Sequence, residues 1–543
     1  MKPPCDEGVI RSQIATRPCV REQGVWVLVA TIVASSMAFI DSTVVNVALP
    51  ALQNSFGASV VGVQWVVESY GLTLAALILV GGSMGDMFGR RRVFLFGVAL
   101  FTLASVACGL SLNLAQLIAA RTIQGIGAAF LVPGSLALIS SSFGEQERGR
   151  AIGTWSGSTA ITTAIGPVLG GWLVQHLSWR WAFFLNVPLA AVVISVSFWC
   201  VPESSSRRRR QIDWQGATAA TLSLTGLVFG FIESTRLGFR SPVVLASLVA
   251  GVIGVIIFLR TEARAASPMV PLELFRSRAF SGANLLTFSM YSGIGIFFFL
   301  LPLNLIQVQG YSATMAGAAM LPLILLMFLL SRWSGGLVAR YGARLPLIVG
   351  PVTSACGFLL FSLPSVGGSY WITFFPAIVV LGLGMAISVA PLTTVVMDAV
   401  DQDRVGTASG INNAVSRVAG LLAIAVFGVM MVAGFSGQLN RRLKTLAVST
   451  GVRAELQSNE SRLAALRPPA GIEPDVAAAI ESSISASFVF SFRLVMWVCA
   501  ALALVSGATA WRMIPGPRVR TAAPKLSLAR RENSRLGTPT EIH

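Results

Sequence analysis

The sequence predicts an all-α polytopic membrane protein: fourteen transmembrane helices in two six-helix halves, with two further helices inserted between them. Three observations lead there. Of 543 residues, 54% are hydrophobic and only 12% charged, about half the charged share of an ordinary soluble domain. The apolar residues fall in runs of about 18 to 25, long enough as helix to cross some 30 Å of hydrocarbon, and the runs recur along nearly the whole chain. Basic residues collect in alternate connections, the asymmetry that orients membrane proteins.

Taken in order, residues 1–24 form a polar N-terminal tail. The run from Val25 to Leu49 is too long, and at Asp41 too polar, for the apolar stretch of a cleaved signal peptide, so it stays as the first helix. Further helices are predicted over 64–84, 93–111, 114–138, 151–175, 181–201, 214–233, 242–259, 281–303, 315–331, 345–363, 372–395, 407–434 and 489–511. An even count puts both tails on one side, expected to be the cytoplasm. That side then holds Arg90 to Arg92, Arg148, Arg150, Arg207 to Arg210, Arg260, Arg264, Arg276, Arg278, Arg332, Arg340, Arg344 and Arg404. The short connections opposite hold only Arg180, Arg236 and Arg240. Segment 435–488 is also basic, but charge counts for less in long loops. It is polar, contains Pro468 and Pro469, and reads as an external loop with helical stretches near 439–446 and 454–466. The tail from Pro515, basic and rich in Pro, Thr and Ser, reads as disordered.

One internal repeat divides the chain. Gly82-x-Met84-Gly85-Asp86-Met87-x-Gly89-Arg90-Arg91 after helix 2 is echoed by Gly335-x-Leu337-Val338-Ala339-Arg340-x-Gly342-Ala343-Arg344 after helix 10, at a constant offset of 253 residues. Duplicated halves are a common plan in secondary transporters, with substrate near the bilayer midplane between them. The expected organisation is a tail over 1–24, a six-helix half over 25–201, inserted helices 7 and 8 with their linkers over 202–280, a second half over 281–511, and a tail over 512–543.

Composition also excludes classes. The net charge of +17 is spread in short clusters between apolar runs rather than over one face, which argues against nucleic acid as a partner. Cys5, Cys19, Cys108, Cys200, Cys356 and Cys499 show no CxxC pairing and read as small core residues. The three lysines, Lys2, Lys444 and Lys525, stand outside any nucleotide-binding P-loop, which removes direct ATP drive. The two histidines, His176 and His543, permit no HExxH and no histidine metal cluster. No cofactor, no metal and no enzymatic activity are expected.

Charges inside spans cost about 2.5 to 3.5 kcal/mol each and therefore face a cavity or a partner. Asp41, Glu68, Arg121 and Arg417 are such charges, with Glu233 and Arg493 near span ends. On the predicted topology Asp41, Glu68 and Arg121 lie roughly 13, 6 and 10 Å below the outer surface, close enough in depth to share one aqueous pocket. Burial raises a carboxyl pKa and a nearby arginine lowers it. Asp41 or Glu68 is accordingly expected to take a proton from outside and release it inside, with Arg121 setting the balance; the alternative is a permanent structural ion pair. Glu68 could equally serve as counter-charge for a cationic substrate. Trp65, Tyr70, Tyr291 and Phe297 to Phe299 could line an apolar binding site, or sit as interface anchors. Arg417 requires a partner that the sequence does not name. Asp86, Gly89, Arg90 and Arg91 form a charged turn expected to latch neighbouring helix ends, since an acidic residue adds nothing to simple anchoring. Gly166, Gly170 and Gly171 allow close helix approach and Pro167 bends the span, which geometry alone leaves as ordinary packing.

The motifs themselves carry a resemblance. Asp41-Ser-Thr-Val-Val-Asn46-Val-Ala-Leu-Pro50, Gln64-Trp65-Val-Val-Glu68-Ser-Tyr70, the loop Gly82 to Arg91, Arg121-Thr-Ile-Gln124-Gly125, Gly166-Pro167-x-x-Gly170-Gly171, and Trp179-Arg180-Trp181-x-Phe-Phe-Leu-Asn186-Val-Pro188 follow one another in order. Together they resemble the major facilitator superfamily, specifically its fourteen-helix drug:proton antiporters. Two departures stand out: Met87 replaces a usual arginine, and Ala339 stands where the second loop copy would have its acid, which leaves the inner gate leaning on the first copy. The resemblance implies a proton antiporter for hydrophobic or cationic drugs and toxic metabolites, monomeric, multi-pass in a bacterial plasma membrane, with small amphiphilic substrate, protons and the lipid bilayer as its partners. For Gly166, Pro167, Gly170 and Gly171 it implies a role in coupling. Transport of lipids or another endogenous amphiphile fits the same fold. A non-transporting membrane sensor is opposed by the charges inside the spans.

Overall fold

A computed structural model describes residues 21–204, 213–265, 268–401, 404–446 and 448–516. The tail up to residue 20, the arginine run 207–210 and the tail from residue 517 lie outside the described residues.

The described chain is helical throughout, and thirteen of its helices are long and apolar enough to cross a membrane. A fourteenth, Pro346–Phe361, is shorter. In chain order they are α1 Arg21–Phe56, α2 Val60–Phe88, α3 Arg90–Leu110, α4 Leu114–Ser142 and α5 Glu145–His176. Then come α6, Trp181–Phe184 continued by Asn186–Cys200, α7 Trp214–Leu237, α8 Pro242–Arg264 and α9 Arg278–Leu303. Next are α10, Ala313–Ala319 continued by Leu321–Tyr341, α11 Pro346–Phe361, and α12, Tyr370–Thr373 continued by Phe375–Asp398. The last two are α13 Val405–Thr445 and α14 Pro474–Met513. Fourteen helices stand where the apolar runs predict them.

The repeat seen in the loop motif extends to the packing. In the first half α4 packs against α2 and α3, and α1 against α5 and α6. Eight helices later the pattern returns: α12 packs against α10 and α11, and α9 against α13 and α14. Gly89 and Gly342, at equivalent positions of the two loop copies, both turn the chain with positive φ, 103° and 73°, a conformation glycine adopts without a Cβ clash.

The inserted pair is a hairpin on one flank. α7 packs against both α2 and α13, one from each half, whereas α8 rests on α7. Val249, Val252, Ile253, Ile256 and Ile257 of α8 are exposed, an apolar surface suited to lipid. Gly251 lets α8 close on Leu227 of α7, the small-residue packing by which membrane helices associate.

Segment 435–488 is more ordered than a loop. α13 continues to Thr445 and α14 begins at Pro474, with a short helix, Thr450–Ser458, and a 3-10 turn, Glu460–Ala465, between them. Leu439, Leu443, Leu456, Leu463, Leu466 and Ile480 bury together in the main core, and Asn440 donates to Glu460 at 2.8 Å and accepts from Gln457 at 2.7 Å.

The two halves meet at the end remote from the termini and part toward the other. Along α5 and α10 a side chain at Gly171 would run into Ala313, and one at Gly317 into the Pro167 carbonyl. Further along, Gly157 is only within loose reach of Phe328, 3.8 Å, and Gly153, Gly335 and Gly336 have nothing within 4 Å. Gln53 of α1 accepts from Gln307 at 2.8 Å, and Gln64 of α2 donates to the Ile424 carbonyl of α13 at 3.2 Å, both near the closed end. The molecule is a wedge, open on the face that bears the termini.

Candidate transport and coupling site

The first half brings Asp41 and Arg121 together. α1 and α4 present them to each other with Arg121 Nη1 2.5 Å from Asp41 Oδ2, and both are essentially removed from solvent, at 1% exposure. Gln124, one turn on from Arg121, closes the ring: its amide donates to Asp41 Oδ1 at 2.8 Å and its oxygen accepts from Arg121 Nη1 at 2.8 Å. Arg121 Nε donates to the Val66 carbonyl at 3.1 Å, and its guanidinium lies 4.1 Å from the Tyr70 ring centre. Each oxygen of Asp41 thus has a donor. A buried carboxylate paired and hydrogen-bonded in this way is stable where a lone one is not. Through Arg121 and Gln124 the carboxylate ties α1 to α4, and Arg121 ties both to α2.

Glu68 is not part of this cluster. Val61, Trp65, Leu72 and Ala75 face the apolar contact with α7 and α13, and at helical spacing Glu68 belongs to their stripe. Tyr70, Leu74 and Ile78 turn the other way, into the core of the first half. Glu68 is fully buried, and neither carboxylate oxygen has a hydrogen-bond partner. The expectation of one pocket holding Asp41, Glu68 and Arg121 therefore resolves into two places, because the two acids project from their helices into different interfaces. Trp65 is likewise committed: its indole donates to Glu233 Oε1 of α7 at 3.0 Å, and its ring meets Phe229 at 5.8 Å. Tyr291, on α9, is partly buried against the main core.

Arg417 projects from α13 at the level where Leu421 meets Gly71 of α2. It is partly exposed, and its Nε is buried without a hydrogen-bond partner. The sequence expectation that it must have a partner is not met by any described carboxylate.

The glycines of α5 divide their work. Side chains at Gly166 and Gly170 would strike Thr43 and Val44 of α1, within the first half, whereas Gly171 abuts Ala313 of α10, in the second. Gly317 of α10 answers by closing on Pro167. One motif thus sets both the packing of α1 and the seam between halves.

The residues of the charged turn sit at the open end. Asp86 accepts from Arg90 Nε at 3.0 Å and Nη2 at 2.8 Å, four residues apart. Glu203, just past α6, supplies what the sequence did not show: its carboxylate accepts from the backbone N–H of Arg91 at 3.1 Å and of Arg92 at 3.2 Å, capping the start of α3, where the helix dipole favours an anion. A Cβ on Gly89 would meet that carboxylate at 2.7 Å. Arg91 donates to the Phe198 carbonyl at 2.9 Å. All these contacts stay inside the first half.

Comparison with known proteins decides the class. Residues 31–424 match the model of the Major Facilitator Superfamily. The chain belongs to that superfamily. Among its relatives are a multidrug resistance protein, Stp, of Mycobacterium tuberculosis, 34% identical over 92% of this chain and 94% of the relative, and a tetracenomycin C resistance and export protein of Streptomyces glaucescens, 32% identical over 89% and 90%. A methylenomycin A resistance protein of Bacillus subtilis is 34% identical over 75% of this chain and 88% of its own. In fold the chain is similar to a bacterial homologue of the human lysosomal transporter Spinster in an inward-facing, unoccupied conformation, with TM-score 0.62 and 17% identity over 92% of this chain and all of the other. This superfamily member is a multi-pass transporter of small molecules, not an enzyme.

Two contributors escaped the sequence reading. Gln124 stands inside a quoted motif, but only the geometry shows it bridging both members of the ion pair. Gly317 has no motif around it, and its small size becomes meaningful only once α10 is seen against Pro167.

Proposed function

We propose that this protein exports drugs and toxic metabolites of amphiphilic character from a bacterial cell across its plasma membrane, in exchange for protons, with both termini in the cytoplasm. The observation that carries the coupling is the sealed Asp41–Arg121–Gln124 ring, which supplies a carboxylate whose protonation is tied to helix packing. The relatives named for drug resistance and export support the cargo. On this reading the wedge is inward-facing: substrate enters from the cytoplasm between the halves, and rocking closes that face while breaking the α5–α10 seam.

Glu68 is a second proposed proton site, placed where α2, α7 and α13 meet, so that the inserted hairpin would feel its charge. Asp86 with Gly89, Arg90 and Arg91 is proposed as the inner latch, here closed on itself. Gly166, Pro167, Gly170 and Gly171 are proposed to link outer closure to the position of α1.

The test is transport in proteoliposomes under an imposed pH gradient, using fluorescent amphiphiles of positive, zero and negative charge. Gradient-driven movement of at least one dye is expected, and Asp41→Asn should abolish it for every dye, measured on the inserted fraction that size-exclusion and thermal melting show to be folded, since the substitution leaves the Arg121 charge without its partner. Undiminished gradient-driven transport by Asp41→Asn would remove that carboxylate from the cycle.

A further inference from the structure

Among the described residues, Arg417 is a cation inside a span that the coupling ring does not use. Asp41 already has a donor on each oxygen, Arg121 on one and Gln124 on the other, so it has no place left for Arg417. No described carboxylate forms an ion pair with Arg417, Glu68 included. A guanidinium inside a span, with buried Nε unsatisfied, is a donor without a partner.

Its surroundings define what would fit. Leu421, one turn away on α13, packs on Gly71 of α2, roughly 16 Å along α2 from the closed end. Asn413, one turn from Arg417 toward the open face, is exposed. A polar residue at this depth belongs on the water-filled gap rather than on lipid. The walls nearby are apolar, with Leu421 and Val418 on the same helix. A partly exposed guanidinium with an unmet donor, flanked by apolar side chains, matches a planar carboxylate or similar acidic group on an otherwise apolar molecule.

The geometry points to Arg417 as the binding residue for an acidic group on the exported molecule. The preferred cargo is then an amphiphilic anion rather than a lipophilic cation. The inference rests on the exporter reading, but its test is separate from the loss of drive in Asp41→Asn.

Two dyes with the same xanthene frame and opposite charge, fluorescein and rhodamine 6G, are titrated against the purified full-length protein by fluorescence polarisation, and their transport is followed in proteoliposomes. Wild type should bind fluorescein the more tightly. Arg417→Gln should weaken fluorescein binding at least about tenfold, the scale of one lost charge-assisted hydrogen bond, and raise KM with kcat changed less than about twofold. Rhodamine 6G binding should be unchanged or tighter. Arg417→Lys should recover part of the loss. A wild type with no preference for fluorescein overturns the inference, and that measurement needs no variant. Equal loss of both dyes in a folded Arg417→Gln also overturns it, by making Arg417 part of the cycle or the fold.

Discussion

Arg121 shows how much one side chain holds at the residue scale. It binds Asp41, Gln124 and the Val66 carbonyl and covers the Tyr70 ring, thereby joining α1, α2 and α4. Removing one partner of a buried pair costs on the order of 3–5 kcal/mol because the other charge is left alone, so Arg121→Ala should lower the thermal midpoint and the yield of inserted protein. Arg121→Lys keeps the charge but not the fork. It should insert normally and lose at least about tenfold in transport, the equivalent of ~1.4 kcal/mol; full activity in proteoliposomes would reduce Arg121 to a structural cation. Asp41 and Arg121 were legible from sequence because charge inside an apolar run is costly and conspicuous. Gln124 was not, since a neutral amide in a span raises no alarm until its two contacts are seen. Glu68 was legible as an anomaly, but its neighbours depend on α7, whose placement no local pattern gives. Glu68→Leu fills the apolar contact with matching chemistry and should raise the thermal midpoint. Loss of pH-driven transport in that stabilised variant would mark Glu68 as functional, and retained transport would mark it as a dispensable buried acid.

At the scale of the element, α5 gives the sharpest contrast. Its glycines read as one motif in the sequence, yet Gly166 and Gly170 meet α1 while Gly171 meets α10 of the other half. Added bulk in a well-packed contact costs typically 1–3 kcal/mol, but where the cost falls differs. Gly170→Leu should destabilise the first half in every state and appear as lower thermal stability. Gly171→Leu penalises only the outer-closed state. It should leave stability nearly intact and increase thiol-reagent labelling of a cysteine placed at Thr314, beside the seam. Equal labelling with and without the substitution would show that the seam does not govern closure. Helix positions were legible because length and hydropathy fix them, including α10 and α12 despite their breaks at Met320 and Phe374. The ends were less so: α13 and α14 run well past the apolar runs because Leu439, Leu443, Ile480 and Ile484 pack with the external segment, and such packing has no signature in a hydropathy window.

At the scale of the whole molecule, the repeat and the wedge belong together. Two halves with the same packing plan can rock about their contact without rebuilding either core, and the contact here is confined to one end. The inserted hairpin complicates that motion, since α7 touches α2 and α13 together and must slide on one of them when the halves move. The bond from Trp65 to Glu233 ties it to α2, so α13 is the surface expected to slip. Spin labels at Gly153 and Gly335, both open to the gap, should lie far apart in the resting protein and approach one another when a pH gradient drives turnover. A second pair, on Gln175 and Thr314, whose side chains hydrogen-bond at 2.7 Å across the closed seam, should separate in the same step. A third pair joining α7 to α2 should hold its distance while α7 and α13 shift. Opposite changes at the first two pairs are required of a rocking bundle. Movement at the open end with no change at the seam would mean that the face bearing the termini bends locally, and that the outer contacts are a hinge rather than a gate.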